Sequence, residues 1–256
     1  LRLKISDVMA EDGAILLRRI VLQNIGGESR SLAFFCYGDW NMSGIRTGNA
    51  LRFDHARRLL VQSHREAALA IGGDALETFQ CGKAGLQWGS NALKDLDDGA
   101  LCGQDLEIGD VNWAWGFSQY LHSGESTSRT VVFALAPDEN AAMSAVQTAI
   151  ARGFDKYSQE RRALDEKTLE PGLKKLRSLG TAELPLDLDL AFKRSLLCLP
   201  LLCGNEGVAV AAPEFDPEFI SCGGYGYHWP RDGGEYVSGL LDAGYPEYPT
   251  KFFDWC

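Results

Sequence analysis

The sequence of 256 residues lacks a Cys-x-x-Cys pair, a long apolar run and an excess of basic residues. Its cysteines are odd in number and irregularly spaced, which argues against a disulfide framework and against a structural zinc site. We therefore expect buried free thiols in a reducing compartment, with neither a metal nor a cofactor. The seven cysteines are Cys36, Cys81, Cys102, Cys198, Cys203, Cys222 and Cys256.

No stretch is apolar and long enough to span a membrane, and no signal peptide is visible, so we expect a cytoplasmic prokaryotic protein. The formal charge of −10 disfavours nucleic acid and anionic membrane surfaces as partners, because both would repel the chain. An acidic protein suits a neutral ligand such as a carbohydrate.

Residues 1–136 have the pattern of short strands separated by turns, which predicts an antiparallel β-sandwich. Residues 15–24 form one predicted strand, and residues 31–37 are its expected hairpin partner. We expect this region, including the turn at residues 38–41, to have a packing role rather than a chemical one. Large side chains alternate with small ones in a later strand and should share one face of a sheet: Val111, Trp113, Trp115 and Phe117.

Residues 137–183 are helical and highly charged, and we interpret them as a linker. A helix is expected to begin at residues 137–139, and Pro171-Gly172 is expected to break the helical run. From residue 184 the apolar content rises. The spacing there predicts a buried helix of about five turns that begins after Asp187 and Asp189.

The segment Tyr225-Gly226-Tyr227-His228-Trp229-Pro230-Arg231-Asp232 has the most distinctive composition in the chain. If it is extended, the three alternating rings point to one side, and an Arg-Asp pair follows directly. Rings can cover the apolar face of a sugar while charged groups hydrogen-bond its hydroxyls. The alternative is that Asp232 caps a following helix, predicted over residues 232–242, and that the rings are core.

The pattern Tyr-x-Tyr-x-Trp-x-Arg-Asp resembles glycoside hydrolase family 15, which contains glucoamylases, glucodextranases and some trehalases. The resemblance extends to residues 192–197 and 207–213, and covers roughly residues 186–256. It implies that residues 184–256 form the first helices of an (α/α)6 barrel, a six-hairpin glycosidase fold. The linker 137–183 and the β-sandwich domain 1–136 would precede this truncated barrel.

The resemblance also implies an inverting, exo-acting α-glucosidase that releases glucose from the ends of α-glucans or maltooligosaccharides. Tyr225, Trp229, Arg231 and Asp232 match the positions that contact the terminal glucose, and His228 is left as a structural residue. The catalytic glutamates of the family come later than Cys256, so we assign no catalytic residue here. We expect the chain to be a fragment of a longer enzyme and to be inactive alone.

Three alternatives remain open at this point. The chain could belong to a non-catalytic carbohydrate-binding or regulatory relative with the same barrel, as in kinase regulatory subunits. It could instead belong to a trehalase or glucodextranase of the family, or to an adaptor β-sandwich with an unrelated helical tail. Self-association through an exposed barrel edge is a further hypothesis.

Overall fold

A computed structural model describes residues 1–11, 13–42, 46–180, 184–212 and 225–256 of the chain. It contains two antiparallel sheets followed by several helices, and no closed barrel is seen among these residues. The chain divides into two compact units, residues 1–161 and 162–256. None of the helices in the described residues is long and apolar enough to cross a membrane.

Seven strands form the larger sheet of the first unit: β1 Arg2–Met9, β2 Ala14–Gln23, β4 Asn49–Asp54, β5 Leu59–His64, β6 Ala67–Gly73, β8 Leu106–Gly109 and β10 Ser126–Ala136. Their order in the sheet is β1-β2-β10-β6-β5-β4-β8. Neighbouring strands are antiparallel throughout. The strands β4 and β8 were not predicted from the sequence.

The smaller sheet has the order β3-β9-β7, with β3 at Arg30–Gly38, β7 at Thr78–Lys83 and β9 at Val111–Leu121. The predicted hairpin between residues 15–24 and 31–37 is therefore wrong, because β3 pairs with β9. The connection after β2 explains this difference. The buried Asn24 side chain donates to the carbonyls of Glu28 and Leu121, at 2.7 and 3.2 Å, and so ties the turn to the end of β9.

The two sheets enclose one apolar core, as expected for a sandwich. Trp113, Trp115 and Phe117 of β9 are fully buried in it, which confirms the position predicted from their alternation. Gly38 makes room for the first ring, since a Cβ at this glycine would lie 2.1 Å from Trp113.

The outer face of the larger sheet is covered by helix α2, Glu139–Arg152. Asp138 caps α2 by accepting from the Ala141 N–H, and Glu139 accepts from Ser63 and Arg52 of the sheet. A short helix, α1, Ala92–Asp95, lies earlier in the chain. The next helix, α3, Phe154–Ser178, contains the boundary between the two units. The division at 136 and 183 inferred from the sequence stays a prediction.

In its described residues the second unit contains the last part of α3, a 3-10 turn at Leu199–Leu202 and three further helices. They are α4 Leu186–Cys198, α5 Pro230–Asp242 and α6 Glu247–Trp255. The predicted helix break at Pro171-Gly172 is wrong, because α3 continues through both residues.

A tyrosine hydroxyl binds the turn of α3 that contains the proline. Pro171 has no N–H to donate within the helix. The Tyr245 hydroxyl donates to the Thr168 carbonyl at 2.6 Å and accepts from the Gly172 N–H at 3.4 Å. A side chain from outside the helix thus binds backbone groups on both sides of Pro171.

The expectation that α4 is a buried helix is also wrong. Only Leu196 of α4 is buried, packed with Val237 and Leu240 of α5. Leu241 of α5 is exposed. The periodicity that predicted a buried helix came from five residues, of which Ala191 and Ser195 are exposed and Leu199 and Leu202 are partly buried. Other leucines of this region are exposed as well: Leu186, Leu188, Leu190 and Leu201.

Replacement of Tyr245 by Phe should destabilise the second unit by about 1–3 kcal/mol, because it removes both hydrogen bonds of the hydroxyl of a buried side chain. Hydrogen exchange at the Gly172 amide should become faster by a corresponding factor. Tyr248→Phe is the matched control, since its half-buried hydroxyl has no hydrogen-bond partner among the described residues. Equal exchange rates in the two variants would contradict the bridging role.

Candidate functional site

The aromatic segment predicted to hold a sugar lies at the surface, immediately before α5. Tyr225, Tyr227 and Trp229 are 48%, 57% and 50% exposed, whereas Gly226 and His228 between them are partly buried. The three alternating rings are therefore available to a ligand, and they do not belong to the core. Residues 213–224, which precede this segment and include Cys222, lie outside the described residues.

Backbone pairing holds the segment in place. The N–H groups of Ala211 and Ala212 donate to the carbonyls of Tyr227 and Tyr225, at 3.3 and 3.1 Å. On its other side the same alanine-rich segment pairs with the end of the 3-10 turn, through a bridge between Cys203 and Ala209. The described part of the Gly207–Pro213 motif is thus a platform against which the aromatic segment is fixed.

The His228 side chain stabilises this backbone pairing from the inner side of the segment. Its Nδ1 lies 2.8 Å from the Ala209 carbonyl, which can only accept, so Nδ1 carries the proton. The imidazole packs against Trp255 and Phe252, with ring centroids 4.8 and 5.5 Å away. Glycine is required at position 233, because a Cβ there would approach the imidazole Cε1 to 2.5 Å. The interpretation of His228 as structural agrees with these contacts.

Arg231 and Asp232 lie in the first turn of α5. The helix begins at Pro230, two residues earlier than expected, and its N-cap is Trp229, so the capping alternative for Asp232 is wrong. The carboxylate instead lies where the positive end of the helix dipole favours an anion. The Nε and Nη2 atoms of Arg231 are both 3.3 Å from Asp232 Oδ1.

Both members of this pair keep groups free for a ligand. The Arg231 side chain is 90% exposed and that of Asp232 is 41% exposed. The described residues provide no partner for Asp232 Oδ2 or for Arg231 Nη1. Such a pair can donate to one hydroxyl of a sugar and accept from another.

Cavities lined by described residues occur outside the aromatic segment. One of about 420 Å³ lies beside Arg19 in the first unit, and one of about 470 Å³ lies beside Pro171 and Gly244 in the second. Neither is lined by Arg231 or Asp232. The role of the four sequence-predicted residues as a sugar site stays a prediction.

Two other described carboxylates near this segment lie on helices. Glu235 is exposed on α5, and Glu247 is exposed at the start of α6, where an acidic side chain has an ordinary role in helix stability. Among the described residues no group of three or more His, Cys, Asp or Glu side chains could hold a metal ion.

None of the known family models matches the chain. Over 64 residues, the chain is 41% identical to an uncharacterized glycosyl hydrolase of Methanocaldococcus jannaschii, a match that covers 25% of this chain and 9% of that protein. The structure is similar to the crystal structure of a bacterial glucoamylase complexed with acarbose, with a TM-score of 0.71 and 12% identity.

The structural match covers 99% of this chain and 37% of the glucoamylase chain. The chain thus has the fold of part of that glucoamylase and spans little more than a third of its length. This similarity confirms the expected glucoamylase-like architecture of antiparallel sheets followed by helices. The barrel and the assignment to family 15 stay predictions.

Replacement of His228 by Phe should loosen the aromatic segment, because the Ala209 carbonyl loses its donor while a ring of similar size remains. An unmade hydrogen bond of this kind costs about 1–3 kcal/mol. Hydrogen exchange at the Ala211 and Ala212 amides should become faster, and His55→Phe, at an exposed histidine, should leave it unchanged. Unaltered exchange in His228→Phe would mean that the segment is held by other contacts.

Proposed function

We propose that this chain is part of an inverting, exo-acting α-glucosidase of the glucoamylase type, assigned to glycoside hydrolase family 15. The observation that carries the proposal is the exposed Arg231-Asp232 pair behind three exposed rings, on a chain whose fold is similar to a glucoamylase over 99% of its length. The local identity to a glycosyl hydrolase supports the same class of reaction.

In this proposal the chain supplies contacts to the terminal glucose of an α-glucan or maltooligosaccharide. Trp229 and Tyr225 cover the C–H faces of the sugar ring. Arg231 donates to one hydroxyl and Asp232 accepts from its neighbour, using the carboxylate oxygen that has no protein partner in the described residues. The His228 bond to Ala209 keeps the rings turned outward.

Hydrolysis with inversion needs a general acid and a general base about 6.5–9.5 Å apart, on opposite faces of the scissile bond. We do not assign either role to Glu235 or Glu247. The proposal places both catalytic glutamates after Cys256 in the complete protein, so that this chain binds the substrate and another part of the protein cleaves it.

The function is tested by incubating the complete protein with maltotriose and following the released sugar by proton NMR. We expect glucose as the first product, and we expect it in the β configuration, because the reaction inverts the α linkage. Initial release of α-glucose would exclude inversion. Absence of any hydrolysis, with maltotriose still bound, would favour a non-catalytic carbohydrate-binding relative.

In the complete protein, Asp232→Asn should lower kcat/KM for maltotriose by about tenfold or more, since one hydrogen bond to a charged group is worth about 1.5–3 kcal/mol. Glu235→Gln is the matched control, because it removes an exposed carboxylate one turn further along α5. We expect it to retain the activity of the unaltered protein. An unchanged kcat/KM in Asp232→Asn would remove Asp232 from the substrate site.

A further inference from the structure

The first unit contains a cavity of about 420 Å³ that has no part in the proposed function. It lies on the outer face of the larger sheet, between β2, β10 and the junction of α2 with α3. Leu17, Val132 and Ile150 form its apolar part. Its volume falls within the range of about 300–1,000 Å³ that is typical of small-molecule sites.

Arg19 is the most constrained polar group of the cavity. Its Nη1 donates to Asp155 Oδ1 at 2.7 Å, and its Cζ lies 4.2 Å from the centre of the Phe154 ring. These two contacts hold the guanidinium in one orientation. Its Nε–H and Nη2–H groups have no acceptor among the described residues. They can donate to a ligand without any rearrangement of the side chain.

The other polar groups of the cavity are also held by neighbours. Arg152 lies over the Tyr157 ring at 4.7 Å and is paired with Glu160, which also lies 3.5 Å from Lys156 Nζ. On the opposite wall the Thr130 N–H donates to Oδ1 of Asp74. The second oxygen of that carboxylate has no partner in the described residues and can accept from a ligand.

The charges around the cavity indicate the kind of ligand. Each of the three cations already has a carboxylate partner, and an anion would lie near the carboxylates of Asp155 and Asp74, which line the cavity. A metal cation would meet three positive side chains. A neutral hydroxyl avoids both repulsions, because it accepts from a guanidinium and donates to a carboxylate at the same time.

We propose that this cavity is a second saccharide site, which binds a single sugar unit or the end of a short oligosaccharide through Arg19, Asp155 and Asp74. The preference for a neutral polyhydroxylated ligand follows from the paired charges of the cavity. The choice of a glucose-type sugar rests on the proposed function. The Arg19 guanidinium covers a face of Phe154, the one aromatic ring among the described residues that line this cavity, so we expect weak binding.

The site is tested by titrating the isotopically labelled chain with maltose and following backbone amide resonances by NMR. We expect shifts at Thr130, Gly153, Phe154 and Lys156, with one shared dissociation constant. Arg19→Gln should weaken this binding about tenfold, the effect of losing one charged hydrogen bond.

Arg18→Gln is the matched control, because it breaks a comparable 2.7 Å ion pair, with Asp7, on the neighbouring residue of the same strand and outside the cavity. It should bind maltose as the unaltered chain does. Ile150→Trp provides a second variant at an exposed lining position, and it should weaken binding by occupying the cavity.

Three results would overturn the inference: no amide shifts at these positions in the unaltered chain, equal affinities in Arg19→Gln and Arg18→Gln, or shifts produced by inorganic phosphate and not by maltose. The last would assign the cavity to an anion. Failure of the proposed function is distinguishable, because Asp232→Asn alters only the other site. Maltose shifts at Gly153 in a protein without hydrolase activity would leave the second site standing.

Discussion

The hydrogen bond from His228 to the Ala209 carbonyl determines which way the aromatic segment faces. The imidazole is turned inward against Phe252 and Trp255, whereas its two neighbours, Tyr227 and Trp229, are exposed. The segment was expected to be extended, but residues 225–227 form a turn and a bend. The same constraint explains Gly233, which leaves space for the imidazole. One partly buried imidazole thus lies among three exposed rings, with its donor on the inner side of the segment.

Two alternating aromatic patterns in this chain differ in burial: the rings of one are buried and those of the other are exposed. The comparison shows what can be predicted from the sequence and what cannot. In β9, at Val111–Leu121, the small residues between the rings are buried as well, so both faces are covered. In the segment 225–229 the residue between Tyr227 and Trp229 is a histidine, and its imidazole donates a hydrogen bond to a single carbonyl. Period-two alternation predicted a shared face in both cases. Which face meets solvent depends on the partners that lie across the sheet or the loop, and these are distant in sequence.

The predictions that were wrong share one cause, which is that the deciding contacts come from residues distant in sequence. Pro171 predicted a helix end, but α3 continues, and the hydroxyl that bonds to its turn at Thr168 and Gly172 belongs to Tyr245, more than seventy residues later. The partner of β3 is β9 because the Asn24 amide reaches Leu121, a contact that no local turn signal contains. The Arg231-Asp232 pair was found because its residues are adjacent in a motif. The cavity beside Arg19 was missed because its lining comes from three strands and two helices, and only the folded sheet brings them together.

Both candidate sites place an arginine beside an aspartate, and the tightness of each pair predicts its behaviour. Arg19 and Asp155 are 2.7 Å apart and the guanidinium lies over a ring, so the pair is organised before a ligand arrives. Arg231 and Asp232 are 3.3 Å apart on an exposed helix turn, where a guanidinium gains little from its partner. The looser pair therefore has more to gain from a sugar hydroxyl. In a chain with a net charge of −10, such internally paired cations favour neutral hydroxylated ligands without creating a basic surface.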